Sequence, residues 1–230
     1  MTKETWLAIA IGNTHIRAAI FSGTEISVEY VKPHIELDEL EYELDRYSYD
    51  RILIASVVPD VVTPWHGLAH TQIVSSQLVP IGGIYKTFGV DRALVALGAG
   101  VTYGYPVLAI DAGTSLTLTG IDATPALVGG AILPGLHAQF KCLRLNAALL
   151  PLANPPSELP TLWANDTIAS MQSGVVNTVV AGLKRFIIDW QKQFPRTPVI
   201  ITGGEGEYIQ SYLQGGKLDK RLIFWGMRSL

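Results

Sequence analysis

Cysteine is almost absent. Cys142 is the single one in 230 residues, so no intrachain disulfide can form, as expected of a chain kept in a reducing compartment. Charge is scarce as well. Asp, Glu, Lys and Arg make up 16% of the chain, where a quarter is usual, and the net charge is −3 with no Lys/Arg run or basic stripe. That excludes the usual electrostatic footprint of a nucleic-acid partner. Long apolar runs are missing too. The stretch from Trp6 to Ile11 is too short for the apolar part of a signal peptide or for a membrane span, so a cytoplasmic chain without a membrane partner is expected. What is abundant is apolar residues, at 48%, enough for a sizeable core. So little charge suggests that some apolar surface is covered by another subunit. The expected partner is a small molecule, and an anionic one would have to be held by backbone N–H groups, a metal or a few placed cations.

The apolar pattern starts twice. Trp6 to Ile11 reads as a buried strand, Gly12-Asn13-Thr14 as a turn and Ile16 to Ser22 as the returning strand, with a third over Glu25 to Val31. Ile35 to Tyr47 is an exposed amphipathic helix by spacing, Arg51 to Val58 an interior parallel strand, and Asp91 to Val101 an apolar helix. After the break at Tyr103-Gly104-Tyr105-Pro106 the order returns. Val107 to Ile110 is a buried strand, Asp111 to Ser115 a turn, Leu116 to Ile121 the returning strand and Ala126 to Leu133 a third. Leu136 to Leu150 reads as a helix. A loop follows with four prolines between Pro151 and Pro160, then a long helix over Ile168 to Trp190 whose buried stripe includes Ile168 and Phe186. Val199 to Thr202 is a strand ending in Gly203-Gly204, and the chain closes with a short helix and a strand near Leu222 to Trp225. The expected fold is therefore α/β and duplicated, with related halves over residues 1–104 and 105–230.

The chemistry is carried by the two turns. Ala10-Ile11-Gly12-Asn13-Thr14 aligns with Asp111-Ala112-Gly113-Thr114-Ser115, each after a buried strand and each with glycine third. Glycine lets the backbone turn sharply and lets an anion approach. The following N–H groups, with the Asn or Thr side chains, can then donate to phosphate oxygens. A carboxylate at the strand end can hold a cation that neutralises phosphate charge. Either turn alone is better explained as a tight hairpin; the pair in register is not. Ile201-Thr202-Gly203-Gly204-Glu205 leaves room for a flat ligand such as adenine, though a glycine-bearing β–α turn explains it equally well. Gly89-Val90-Asp91-Arg92 stands at a helix start, where Asp91 by type is an N-cap. The alternative is that Asp91 is a general base and Arg92 grips an anionic substrate; from these four residues alone the cap is favoured. Gly129 to Gly135 reads either as a strand and turn or as backbone approaching a ligand.

With these segments in order, the chain resembles the type III pantothenate kinases, a family of the actin/hexokinase/Hsp70-like ATPase superfamily. The resemblance runs from Trp6 to Trp225 and rests on Gly12-Asn13-Thr14, Gly89 to Arg92, Asp111 to Thr114, Gly129 to Gly135 and Thr167 to Gly174. It implies a ribonuclease H-like fold present twice, with mixed sheets. It implies transfer of the ATP γ-phosphoryl to the primary hydroxyl of pantothenate, the first step of coenzyme A synthesis. By position, Asp91 would accept the proton, and Gly89, Val90, Asp91, Arg92, Thr167 and Tyr85 would contact pantothenate. The first phosphate loop would be Ala10, Ile11, Gly12, Asn13, Thr14, His15, Ile16 and Arg17. Thr114 would touch ATP, and Asp111 would hold a monovalent cation, K⁺ or NH₄⁺. ATP would arrive with Mg²⁺, and the protein would be a homodimer. The family's first loop opens on Asp where this chain has Ala10, and the spacing from Tyr85 to Gly89 is short for the family. Two other readings stand beside this one: a homologue that binds ligand without turnover, and a sugar kinase of the same superfamily. His66 and His70 are expected to be a surface pair, and Cys142 a packing residue inside its helix.

Overall fold

The computed structural model describes residues 3–58, 63–213 and 215–230. Two compact units emerge: residues 1–102 with 222–230, and residues 103–221.

In the first unit, β1 (Thr5–Ile11), β2 (His15–Ser22) and β3 (Glu25–Pro33) form an antiparallel meander. β4 (Arg51–Ser56) joins β1 in parallel, and β5 (Thr71–Val74) joins β4 in parallel, which gives the order β3-β2-β1-β4-β5. One face of this sheet carries Leu7, Ile9, Ile11, Ile16, Ile20, Ile52 and Ile54 and packs on Leu40 and Leu44 of α1 (Leu37–Leu44). The unit also holds α2 (Val90–Tyr103) and the closing helix α7 (Leu222–Arg228).

The second unit repeats the plan strand for strand. β6 (Val107–Ala112), β7 (Ser115–Ile121) and β8 (Leu127–Pro134) form the meander; β9 (Val199–Thr202) and β10 (Lys217–Leu218) add in parallel, in the order β8-β7-β6-β9-β10. Parallel addition needs a crossover. Here the crossover from the meander to β9 consists of α3 (Leu136–Asn146), the proline-rich loop, α4 (Thr167–Gln172), a π-helical segment (Ser173–Asn177) and α5 (Thr178–Gln193). α6 (Gly206–Gln210) links β9 to β10. Both sheets are mixed, and the duplicated α/β fold expected from the sequence is the observed one.

Several expectations need correction. The segment near Leu222 is a helix and not a strand, because α7 crosses α2 where glycines let the backbones touch. A Cβ on Gly98 would lie 1.9 Å from Leu222 O, and one on Gly226 2.1 Å from Leu94 O. The helix from Leu136 stops at Asn146, short of Leu150. The long helix carries the π segment, in which Ser173 Oγ donates to Leu162 O (2.8 Å) and Asn177 Nδ2 to Pro160 O (3.1 Å) of the preceding loop. Met171, Val175, Val179, Leu183 and Trp190 of the expected stripe are buried on both sides of the π segment. Ile168 and Phe186 are half-exposed, whereas Val176, Val180 and Ile187 are buried. Cys142 is exposed and not a packing residue. His66 caps its own short 3₁₀ turn through Thr63, and among the described residues no group of three acidic, His or Cys side chains could hold a metal ion.

Candidate active site

The first unit contributes two features, a turn and a helix start. At the turn, Gly12 N donates to His15 O (3.0 Å), and His34 Nε2 donates to Gly12 O (2.7 Å) from the end of the meander. Asn13, Thr14 and His15 are exposed at the tip, while Ala10, Ile11 and Ile16 are buried beneath it. Ala10 is paired with Arg17 on one side and Ala55 on the other. Residues paired in register share a face, so the position where the family has its carboxylate is flanked by a methyl group and a cation. That cation is engaged: Arg17 Nη2 lies 3.0 Å from Glu29 Oε1, and its guanidinium sits over the Phe224 ring at 5.1 Å. Nothing in this trio fits a protein-held divalent ion.

At the helix start, Asp91 is not the N-cap. Helix α2 begins at Val90, and Asp91 lies inside its first turn, with Oδ1 accepting from Arg92 N (2.7 Å). Gly89 makes this possible, since a Cβ there would lie 2.5 Å from that same oxygen. Burial pushes the Asp91 carboxyl above the usual aspartate range, opposed by the Arg92 N–H and the Arg92 charge. Arg92 is buried, with Nη1 donating to Tyr85 Oη (3.2 Å) and its guanidinium over the Phe88 ring at 4.4 Å. The segment from Tyr85 to Arg92 thus brings the Tyr85 hydroxyl to the Arg92 guanidinium.

In the second unit, three glycines converge on the other turn. Gly113 N donates to Ser115 O (3.1 Å), and Gly135 N to Thr114 O (2.9 Å). A Cβ on Gly135 would lie 2.0 Å from Gly113 O, so the Gly129–Gly135 segment is a strand and turn packed backbone to backbone on this site. Gly203, at φ +91°, leaves room for no Cβ: one there would lie 2.4 Å from Ala112 O and 2.5 Å from Asp111 Oδ1. Asp111 is paired with Thr117 and with Thr202, so the trio that reads Ala, Arg, Ala in the first unit reads Asp, Thr, Thr here. Thr114 is exposed at the tip. Glu205 N donates to Ala112 O (2.8 Å), and the Glu205 carboxylate caps α3 by accepting from Leu136 N (2.9 Å) and His137 N (3.2 Å), with His137 Nδ1 beside it at 2.5 Å. Sequence reasoning missed this role of Glu205, because its partners lie 68 and 69 residues away.

Thr167 opens α4 behind Asp166, whose side chain accepts from Ala169 N (2.9 Å). It lines an open pocket of about 770 Å³ together with Gln139, Leu143, Asp166, Ser170 and Thr178.

Two mixed five-stranded sheets of the same topology, each with a glycine turn between its first two strands, define the duplicated fold of the actin-like ATPase class. The solved structures agree on the fold. A Campylobacter jejuni protein named for the Baf family of transcriptional activators superposes with TM-score 0.68 at 21% identity, covering 97% of this chain and 96% of that one. MreB5 of Spiroplasma citri bound to AMPPNP superposes with TM-score 0.52 at 12% identity, covering 98% and 95%. The family follows from the sequence. Residues 6–189 match the type III pantothenate kinase family, and a type III pantothenate kinase of Synechococcus sp. (strain JA-2-3B'a(2-13)) is 42% identical over 219 residues, 94% of this chain and 82% of the relative. The chain belongs to the type III pantothenate kinase family and is an ATP-dependent kinase.

Proposed function

We propose that the chain phosphorylates the primary hydroxyl of pantothenate with ATP, the first step of coenzyme A synthesis. The observation that carries this reading is Asp91: a carboxylate that accepts from Arg92 N and lies close over Gly89, raised by burial, beside the Arg92 guanidinium that donates to Tyr85. A base whose carboxyl titrates above the usual aspartate range is better matched to an alcohol proton near neutral pH. In the transfer, the pantothenate hydroxyl oxygen forms its bond to the γ-phosphorus, the bond from that phosphorus to the bridging oxygen breaks, ADP departs with the electron pair, and Asp91 takes the hydroxyl proton. Gly89, Val90 and Arg92, with Tyr85 and Thr167, hold pantothenate, Arg92 pairing with its carboxylate.

The segment from Ala10 to Arg17 lines the triphosphate through the turn amides and the Asn13 and Thr14 side chains, and Thr114 is a further ATP contact. Mg²⁺ would enter on ATP, since Ala10 and Ala55 offer it no ligand, and would supply charge neutralisation at the phosphates. Asp111 holds a monovalent cation, K⁺ or NH₄⁺. The related halves are residues 1–104 and 105–230, with residues 222–230 returning to the first compact unit, in a cytoplasmic homodimer with no nucleic-acid partner. No helix among the described residues is long and apolar enough to cross a membrane. The pair Ala10 and Ala55 favours one rival, a ligand-binding homologue without turnover. A coupled ADP-release assay with pantothenate, Mg²⁺ and K⁺ decides between them: turnover is expected, and its absence while ATP still binds would establish the rival. Turnover of a sugar in place of pantothenate would overturn both.

A further inference from the structure

The side chain of Thr202 is buried, 2% exposed, and its Oγ1 has no hydrogen-bond partner. An unmatched buried hydroxyl is destabilising and rare in folded proteins. Its place in the fold is specific. The parallel register of β6 and β9 sets Thr202 opposite Asp111, so the two side chains leave the same face of the sheet. The alternate residues, Ile110 and Ile201, go to the core on the other face. A hydroxyl beside a carboxylate would ordinarily donate to it, yet Thr202 does not. The carboxylate is fixed by its neighbours: a Cβ on Gly203 would lie 2.5 Å from Asp111 Oδ1, so this oxygen rests almost on the Gly203 backbone.

We infer that the Thr202 hydroxyl oxygen is a second protein ligand for the cation that Asp111 holds. This rests on the reading of Asp111 given above and names a further residue of that site. One carboxylate joined by a neutral hydroxyl offers a single negative charge, which suits a monovalent ion; a divalent one is ordinarily held by more carboxylates or keeps more of its water. The lone pairs of Thr202 Oγ1 then face the cation and its proton points away. The first unit supplies the contrast, because the positions equivalent to Asp111 and Thr202 are Ala10 and Ala55 and offer no oxygen.

The test reads ion binding apart from turnover. Thermal unfolding of the whole chain is followed while KCl replaces choline chloride at constant ionic strength, and the K⁺ dissociation constant is taken from the rise in midpoint. Wild type is expected to rise with K⁺, Asp111→Asn to lose the rise, Thr202→Val to bind K⁺ at least about tenfold more weakly, and Thr202→Ser to stay near wild type. Thr202→Ala reads the same as the valine variant should that one fail to fold. A valine variant whose midpoint moves equally in both salts, with unchanged K⁺ affinity, overturns the inference and leaves the hydroxyl on a buried water. Loss of the rise in Asp111→Asn alone would leave the Asp111 reading intact while removing Thr202 from it. No rise in wild type would remove both.

Discussion

The two units share one topology and differ where it matters. At equivalent positions around the turn, the first carries Ala10, Arg17 and Ala55, the second Asp111, Thr117 and Thr202. The turns differ in length as well. Between the last paired positions, four residues stand between Ile11 and Ile16, three between Ala112 and Leu116. The first unit carries a carboxylate at a different, non-equivalent place, Asp91 in the first turn of α2. Both Asp91 and Asp111 have an oxygen so near a glycine, Gly89 or Gly203, that a Cβ there would lie 2.5 Å from it. On the proposed function the same device serves two tasks, a base beside a buried helix start and a cation ligand beside threonines at a strand end.

The largest expected effect separates these tasks. Asp91→Asn should lower the turnover number by about 10²–10⁴-fold, the usual worth of a general base, and added K⁺ should not restore it. Its effect on stability has the opposite sign. Burial raises the Asp91 carboxyl above its unfolded value, so the folded state favours the proton and the ionised group costs stability as pH rises from the ordinary aspartate range through the raised value. The asparagine variant should thus unfold no earlier than wild type at neutral pH, while the wild-type rate should fall with acid at a pH above the ordinary aspartate range. Near-normal turnover in the variant would reduce Asp91 to a helix-start residue and erase the division of tasks.

The glycines give the next test. Gly203→Ala puts a Cβ 2.4 Å from a backbone oxygen at φ +91°, and should cost about 3 kcal/mol or more in urea unfolding. Gly12→Ala meets only His15 O at 3.3 Å and should cost about 1 kcal/mol or less. Equal losses would mean that the two turns are equally tight.

The hairpins, the glycine turns and the repetition were legible because strand period and turn residues act locally. So was the vicinity of Tyr85, Asp91 and Arg92, which lie within eight residues. What escaped depended on distant backbone. Leu222 to Trp225 has the composition of a strand, but Gly98 and Gly226 admit a helix against α2 and tertiary packing wins. β5 and β10 are short edge strands with too few residues to show a period. The π segment answers to loop carbonyls at Pro160 and Leu162. Thr202 and Glu205 matter through Asp111 and α3, which no local spacing announces.

Ala10→Asp restores in the first unit what the second retains. Ala10 is 5% exposed, so the new carboxylate should cost about 2 kcal/mol without metal, even with Arg17 across the strand pair. If an aspartate at this position can hold a divalent ion, millimolar Mg²⁺ should recover part of that loss, seen as a metal-dependent rise in the unfolding midpoint absent from wild type. A midpoint blind to Mg²⁺ would show that the longer first turn no longer presents a metal position.

The smallest effect concerns Arg17 itself. Its ion pair with Glu29 is partly exposed, 23% and 21% for the two side chains, which limits it to about 0.2–1 kcal/mol, and the Phe224 ring adds about 0.5–1 kcal/mol. Arg17→Met should therefore lower stability by about 1 kcal/mol, while Glu29→Gln should lower it by less, since the ring contact stays. ATP affinity measured without Mg²⁺ should change less than about tenfold, because the guanidinium is already committed to Glu29 and Phe224. A larger drop, with stability little changed, would mean that the positive charge across from Ala10 meets the phosphates directly. The first turn would then hold the nucleotide with a cation of its own, and the two units would differ in the sign of the charge they use rather than in its presence.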